Sequence, residues 1–542
     1  MRILGISPAH DSSACIINDG HIEYFCKEER LTRIKRDIEA INSIQKCIDN
    51  SKGKIDFAVI CSPTPKDTFN FKLEKKLKEK LNCKIIQFSQ HHHLAHASLA
   101  FYNSGFEKSL IIVIDRNGAE IDNMRESESV FVSEYPNNFK PVYKSFWLKN
   151  IGVNYDVENF KSLTKLKIQY PDCEMVSDSV YNITKIYESA TTLIGQNVLE
   201  NGKTMGLSAY GEDMPFEKLF INGLPNNNLF FTYKNGEVGY KKYINYQTNI
   251  VPKKNKRYAN YAFQVQKQTQ EEVLKLVKKY IDKTDIKNVC ITGGYALNVV
   301  TNGYLTKKLP NINFYFEPLA DDTGNSIGCA MFIYRNETKD NKIYKLKNIF
   351  FNNIEHKISV NKLKSTTSTY IAEQLQNKKI VAIYNEKSEA GPRALGNRSI
   401  LYDARDKNSK EIINKIKNRE WYRPFACSVL KEYAHEYFHM TVENSPFMTI
   451  SFDVKKNKLN EIPGVIHIDN SCRIQTVDET IPHFYELLNK FYKLTGVPLL
   501  LNTSFNIAGE PLIETPDDCI NTFKKTNIDI IWFPKEKMIL EK

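Results

Sequence analysis

A strand, a polar turn, a second strand and a third strand occur twice in this chain, and few folds accommodate that plan. RILGIS (residues 2–7), SACIIN (13–18) and HIEYF (21–25) are the first set. His10, Asp11, Ser12 and Ser13 fill its first turn, and Asp19-Gly20, a favoured hairpin pair, makes its second. IIVID (111–115), SVFVSEY (129–135) and VYKSFW (142–147) repeat the plan, with RNGAE in the polar turn. The echo is faint; it is consistent with two duplicated halves and not with a short-period repeat array. At 542 residues the chain exceeds one ordinary core, so two or more domains are expected.

Between the two sets, CKIIQF (83–88) reads as a buried strand and residues 89–106 as a helix ending near Gly105. His92 and His96, four apart, project from one helical face. Asp115 ends a continuous apolar strand, where a carboxylate needs a partner or a site. Two imidazoles and a carboxylate suit a divalent metal; a polar helix face is the plainer alternative. ENGKTMGLSAYG (200–211) reads as a loop that receives a nucleotide or simply turns the chain, with Lys203 within it. Residues 212–260 read as an insertion, and 262–281 as an amphipathic helix. Strand NVCIT (288–292), Gly293-Gly294 and a helix starting near Ala296, with Asn298, make an acceptable phosphate seat, because unpaired amides converge there.

The most basic stretch is Ser388–Ala426, where Arg393, Arg398, Arg405, Lys407, Lys415, Lys417, Arg419 and Arg423 crowd around two rigid turns. Ile412, Ile413 and Ile416 indicate a helix, and Lys415 and Arg419 fit its solvated face. The loop GPRALGNRS instead suggests an anion pocket, since guanidinium forks match paired oxygens. Lys417 and Arg423 are six apart with Pro424 following, so they converge only if a helix ends between them. Asn502, Thr503, Ser504 and Asn506 in PLLLNTSFN offer amide and hydroxyl groups that can bond a polar ligand. The formal charge of +12 permits nucleic-acid binding without demanding it, because anionic small substrates explain local clusters equally well. Eleven cysteines lacking a C-x-x-C pair, the absence of an apolar leader core and the absence of a long apolar run together predict a soluble, cytoplasmic, reduced protein.

GPRALGNRSIL, KIKNREWYRPFA, RIQTVD and NTSFN, in that order, closely resemble the C-terminal domain of NodU/CmcH-type O-carbamoyltransferases. ILGIS-x-x-HDSSA…EERLTR-x-K, HHLAHA, ENGKTMGLSAYG, GGYALN and the D-x-G at Asp322 resemble the same family's N-terminal half. The resemblance implies an α/β protein: an actin-like (ASKHA) duplicated domain over residues 1–355, then an α+β YrdC/Sua-like domain over 356–542. It implies transfer of a carbamoyl group from carbamoyl phosphate, with ATP and through carbamoyl-adenylate, to a hydroxyl of a sugar or sugar-bearing natural product.

By the same resemblance His92, His96, Asp115 and Asp322 hold a divalent metal, Fe2+ by analogy, with Mn2+, Zn2+ or Mg2+ as alternatives. His10 lies in the acceptor site as the catalytic base. Lys35, Lys203, Gly293, Gly294 and Asn298 contact the nucleotide or carbamoyl-adenylate, and Arg393, Lys417, Arg423, Arg473 and Asn502 take carbamoyl phosphate. The acceptor is a small molecule or saccharide, no membrane or nucleic-acid partner is expected, and a homodimer is an open alternative to a monomer. Two other readings stand beside this one: tRNA threonylcarbamoyl transfer and a non-enzymatic nucleotide-binding regulator. The chain departs from the family pattern at Lys387, Ala390, Cys427 and Ala508, which bears on anion contacts and on none of the metal ligands.

Overall fold

The computed structural model describes all residues except 64–67, 122–123, 149–160, 179–182, 233–237, 242–255, 353–357 and 359–362. The chain forms two compact units: Met1–Glu23 with Ile38–Leu346, and Tyr24–Asp37 with Lys347–Lys542. The sequence reading put one boundary near residue 355. The structure differs by assigning the Tyr24–Asp37 segment, which carries Lys35, to the second unit. Side chains explain this. Arg30 Nη2 donates to the carbonyls of Glu389 and Gly391, and Arg33 donates to those of Pro511 and Leu512.

One sheet has the order His21–Lys27, Ser13–Asn18, Arg2–Ser7, Phe57–Ile60, Lys84–Gln87, and its edge strand His21–Lys27 leaves the first unit after Glu23. Arg2–Ser7 runs antiparallel to Ser13–Asn18 and parallel to Phe57–Ile60. A second sheet has the order Glu174–Asp178, Asn138–Leu148, Met124–Glu134, Lys108–Ile114, Asn288–Thr292, Asn313–Phe316. Its Lys108–Ile114 strand is likewise antiparallel to its sequence successor in the ladder and parallel to Asn288–Thr292. Both sheets therefore place their first strand in the middle, with an antiparallel neighbour on one side and a parallel one on the other.

Helix Asn325–Thr338 packs on the first sheet and helix His92–Ser104 on the second, and the two helices pack on each other. Glycine makes this stack thin. A Cβ at Gly328 would stand 2.0 Å from the Ala95 carbonyl, and one at Gly5 would stand 1.9 Å from that of Ser326. Ala95, Leu99, Phe101, Ile327 and Ala330 are fully buried there, which sets the His92 helix and the Asn325 helix in a fixed relation.

Two local expectations are corrected. ENGKTMGLSAYG is not a loop: Asn201–Ser208 is helical and packs on helix Lys256–Thr284, so tertiary contact outweighs the weak helix propensity of its glycines. After Gly293 the chain makes a 3-10 turn, Gly294–Leu297, and the helix begins at Val299 with Asn298 as its cap. Within the 212–260 insertion the described residues form two short hairpins, Phe220–Ile221 with Leu224–Pro225 and Phe230–Thr232 with Val238–Tyr240. Its residues 233–237 and 242–255, and much of the region read as a linker, lie outside the described residues.

The second unit is built on a mixed nine-stranded sheet. Its order is Lys364–Ser365, Met538–Glu541, Ile530–Phe533, Val381–Tyr384, Arg398–Tyr402, Leu499–Ser504, Ala426–Leu430, Ser471–Val477, Ser451–Asp453. Helices Ser368–Gln376 and Pro482–Thr495 close a core of Ile371, Leu375, Ile383, Phe484, Leu487 and Trp532. The protein is thus mixed α/β throughout. Among the described residues no helix is long and apolar enough to cross a membrane. All eleven cysteines are free thiols.

Candidate active site

In the first unit, His92 and His96 project from the first turns of their helix, Asp115 follows the central strand of the second sheet, and Asp322 opens the turn before helix Asn325–Thr338. One ligand atom from each lies within 4.8 Å of all the others. His92 Nε2 is 3.3 Å from Asp322 Oδ1 and 3.5 Å from Asp115 Oδ2, and His96 Nε2 is 3.3 Å from Asp322 Oδ1. All four side chains are buried. Burial opposes ionisation of both carboxyls, but the imidazoles outweigh it and hold Asp115 and Asp322 well below the usual carboxylate range. Burial likewise opposes charge on His92, yet Asp322 and Asp115 push it up to about 10.

Among the described residues no lysine or arginine pairs with either carboxylate. Two buried negative charges facing two imidazole nitrogens fit a divalent transition cation. The glycines serve this cluster. Gly294 N donates to Asp115 Oδ1 at 3.1 Å, and Gly293 (φ 84°) lies so close to the Ile114 carbonyl that a Cβ would stand 2.4 Å from it.

His10 is half-buried beside this cluster, with Nδ1 3.5 Å from Asp322 Oδ2 and 3.8 Å from Asp11. Burial works against its protonation, but Asp322 and Asp11 leave its pKa raised. A cavity of about 320 Å³ opens over His10, Asp115 and Asp322, edged by Glu39, Ser62, Asn117 and Arg125. Sequence reasoning missed two residues here. Asn325 stands among the metal-ligand candidates, and Asn117, two residues beyond Asp115, keeps a buried Oδ1 without a donor among the described residues. Lys203 lies elsewhere on its helix, bonded to Gln196 Oε1 at 2.7 Å and paired with Glu200 at 2.9 Å. Asn298 caps its helix through Thr301 N and bonds Gln266.

In the second unit the helix Ser409–Ile416 ends just before Lys417, and Asn418 turns left-handed (φ 47°). This break brings Lys417, Arg419 and Arg423 into one field. Burial and then Arg419, Arg423 and Lys35 push the Lys417 pKa well down. Lys417 is buried, and its Nζ donates to Ser504 Oγ at 3.0 Å, Asn506 Oδ1 at 2.8 Å and the Ser504 carbonyl, all neutral. Arg419 is not on a solvated helix face: burial, Arg423 and Arg473 push its pKa well down, and it stacks 4.1 Å over Phe425. Burial pushes Arg473 down to about 10, Arg423 adding to the effect, and among the described residues its Nε has no partner. Glu420 carries a counter-charge 3.9 Å from Arg423.

The GPRALG loop is shaped from below. Glu389 Oε1 accepts from the amides of Leu395, Asn397 and Arg398 at 2.7, 3.0 and 3.3 Å. Asn502 Nδ2 donates to the Ala394 carbonyl at 3.2 Å and to Ser428 Oγ at 2.8 Å, and among the described residues its buried Oδ1 has no donor. Arg393 is half-buried in this loop. Two other arginines of the stretch are architectural. Arg398 is fully buried over the Tyr384 ring and donates to backbone carbonyls, and Arg405 forks onto Asp403. Of the departures from the family pattern, Ala508 donates its amide to the Lys417 carbonyl at 2.9 Å.

The sequence profile described as "Carbamoyltransferase N-terminus" matches residues 64–331, and that described as "Carbamoyltransferase C-terminus" matches residues 372–542. This chain belongs to the carbamoyltransferase family. It is accordingly an enzyme of carbamoyl transfer. The nodulation protein NolNO of Sinorhizobium fredii is 29% identical over 96% of this chain and 77% of its own length. An uncharacterized Methanocaldococcus jannaschii protein, MJ1058, is 30% identical over 81% of this chain and 72% of its own. Among solved structures, full-length HypF in its phosphate- and nucleotide-bound form aligns with a TM-score of 0.38 at 16% identity, over 62% of this chain and 56% of that one.

Proposed function

We propose that this carbamoyltransferase draws its carbamoyl group from carbamoyl phosphate, activates it with ATP as carbamoyl-adenylate, and passes it to a hydroxyl of a sugar or sugar-bearing natural product. The observation that carries the reading is Lys417, a buried amine whose charged form burial and the neighbouring cations disfavour, and which among the described residues bonds only to neutral oxygens. Such an arrangement lacks its anion, and a phosphate-bearing substrate supplies it.

Carbamoyl phosphate, ATP and water give carbamoyl-adenylate, phosphate and pyrophosphate. The acceptor oxygen then bonds to the carbamoyl carbon, AMP departs with the bond electrons, and the hydroxyl proton goes to a base. Arg393, Lys417, Arg423 and Arg473 neutralise phosphate charge, and the Asn502 Oδ1 accepts an N–H of the carbamoyl amide. Lys35 adds to the same positive field. Lys203, Gly293, Gly294 and Asn298 serve the nucleotide. His92, His96, Asp115 and Asp322 would hold the metal, Fe2+ by family resemblance, which supplies Lewis-acid polarisation. His10, on the wall of the cavity, takes the acceptor proton.

In this reading the first unit is the actin-like half, supported by the two sheets' shared strand order, and the second is the YrdC-like half. Activation belongs to the second unit and transfer to the first. The test is ATP–pyrophosphate exchange with purified protein. Exchange that requires carbamoyl phosphate supports the reading, and no exchange identifies a nucleotide-binding regulator. Turnover of threonylcarbamoyl-adenylate in its place identifies a tRNA-modifying enzyme.

A further inference from the structure

We propose that Asn325 is a fifth ligand of the His92–His96–Asp115–Asp322 centre, giving its carboxamide oxygen to the metal. The inference rests on the reading that this cluster holds a divalent cation. Asn325 is fully buried at the start of helix Asn325–Thr338. Its Nδ2 lies 3.0 Å from His96 Nε2 and 3.4 Å from His92 Nε2, the two nitrogens whose lone pairs a cation would take. Among the described residues its side chain makes no other hydrogen bond, and its Oδ1 is buried with no donor. Asn325 is therefore not a helix cap. The neighbouring Gly324 fills the cap position without a side-chain bond.

The two ends of a carboxamide exchange places by a half-turn about its last torsion, with almost no change in shape. With the His96 Nε2 lone pair free, the N–H end suits this position, because it donates to it at 3.0 Å. Once a cation occupies those lone pairs, an N–H directed at it is repelled, and the oxygen end is attracted. The half-turn places Oδ1 where Nδ2 now stands, 3.0 and 3.4 Å from the two ligating nitrogens. Oxygen of an amide carbonyl is an ordinary ligand for hard and borderline divalent ions. Asn325 also cannot retreat, because Gly324 and Gly328 press its helix against the Leu319 carbonyl and the Ala95 carbonyl.

The experiment titrates the full-length, metal-stripped protein with Mn2+ by calorimetry and with Co2+ by visible absorption. Native protein is expected to bind one equivalent, and His96→Ala to bind none tightly. Asn325→Ala is expected to weaken Mn2+ binding by about tenfold or more and to change the Co2+ absorption, as loss of a ligand does. Asn325→Asp, with oxygen at both ends, is expected to bind at least as tightly as native, which separates ligation from a folding defect. Native-like affinity and an unchanged Co2+ spectrum in Asn325→Ala overturn the proposal, as does Asn325→Asp binding as weakly as Asn325→Ala. Native protein that binds no cation overturns the metal reading itself, a result distinct from either.

Discussion

Lys417 Nζ donates to Asn506 Oδ1 at 2.8 Å, and neither this acceptor nor the others at hand carries a charge. Burial and the neighbouring cations disfavour the charged form of this amine, and an anion bound there offsets both, so anion binding is favoured. Inorganic phosphate or pyrophosphate is expected to raise the melting temperature of the native protein, by linkage of about 2.7 kcal/mol at a hundredfold excess over Kd. Lys417→Ala and Arg423→Ala are expected to lose that response and all carbamoyl phosphate-dependent ATP–pyrophosphate exchange. Calorimetric melting with and without phosphate, beside the exchange assay, checks both. A full phosphate response in Lys417→Ala contradicts the anion pocket.

His10 and Lys417 belong to different units, and the division of labour between them can be separated by assay. His10→Ala is expected to keep exchange near the native rate and to lose carbamoylation of the acceptor by about a hundredfold or more, the usual weight of a general base. Labelled carbamoyl phosphate, with the product followed by mass spectrometry, measures the second step. Equal loss of both steps in His10→Ala contradicts the division.

The parts of this site that were legible in the sequence are those set by short-range geometry. His92 and His96 share a helix face because they are four apart, and Asp115 declares itself by ending an apolar strand. Asn325 escaped because an asparagine after D-x-G reads as a turn or helix-start residue. Its importance depends on a helix from the other end of the unit lying against His92 and His96. Arg30 and Glu389 escaped for a similar reason, since each acts on backbone groups that only the folded chain brings near. Arg419 was misread because the helix ends at Ile416, so helical spacing no longer describes where its side chain goes. The ENGKTMGLS glycines suggested a loop on propensity alone, while packing on helix Lys256–Thr284 decided otherwise.

Glu128 gives the first unit a pH dependence of unusual sign for a carboxylate. Burial pushes its carboxyl up to about 8 from an ordinary 4.5, with only Ser145 and the Ile183 backbone opposing. The folded protein thus holds a proton that the unfolded chain has lost between those values, and its stability falls as pH rises through that window. The slope from this one group is about 1.4 kcal/mol per pH unit at most, flattening above the folded pKa. Glu128→Gln, nearly isosteric and always neutral, is expected to remove this part of the fall and to be more stable than native at pH 9. Denaturant melts of both proteins from pH 5 to 9 measure it. Parallel curves for the two would mean that Glu128 titrates normally.

Gly328 holds the metal candidates together without touching any of them. An added Cβ would lie 2.0 Å from the Ala95 carbonyl and 3.1 Å from Leu99 Cβ, and the first contact is with backbone that cannot swing aside. Gly328→Ala must therefore move helix Asn325–Thr338 away from helix His92–Ser104, and Asp322 and Asn325 move with the first while His92 and His96 stay on the second. Ligand sets tolerate displacements of only a few tenths of an ångström, so the expected outcome is a loss of divalent-cation affinity of about tenfold or more. Overpacking of this kind also costs about 1–3 kcal/mol of stability. Gly202→Ala is the comparison: its Cβ meets nothing within 4 Å inside helix Asn201–Ser208. That substitution is expected to leave Mn2+ affinity unchanged and to stabilise by up to about 1 kcal/mol. Equal Mn2+ affinity in Gly328→Ala and Gly202→Ala would show that helix spacing does not govern the centre.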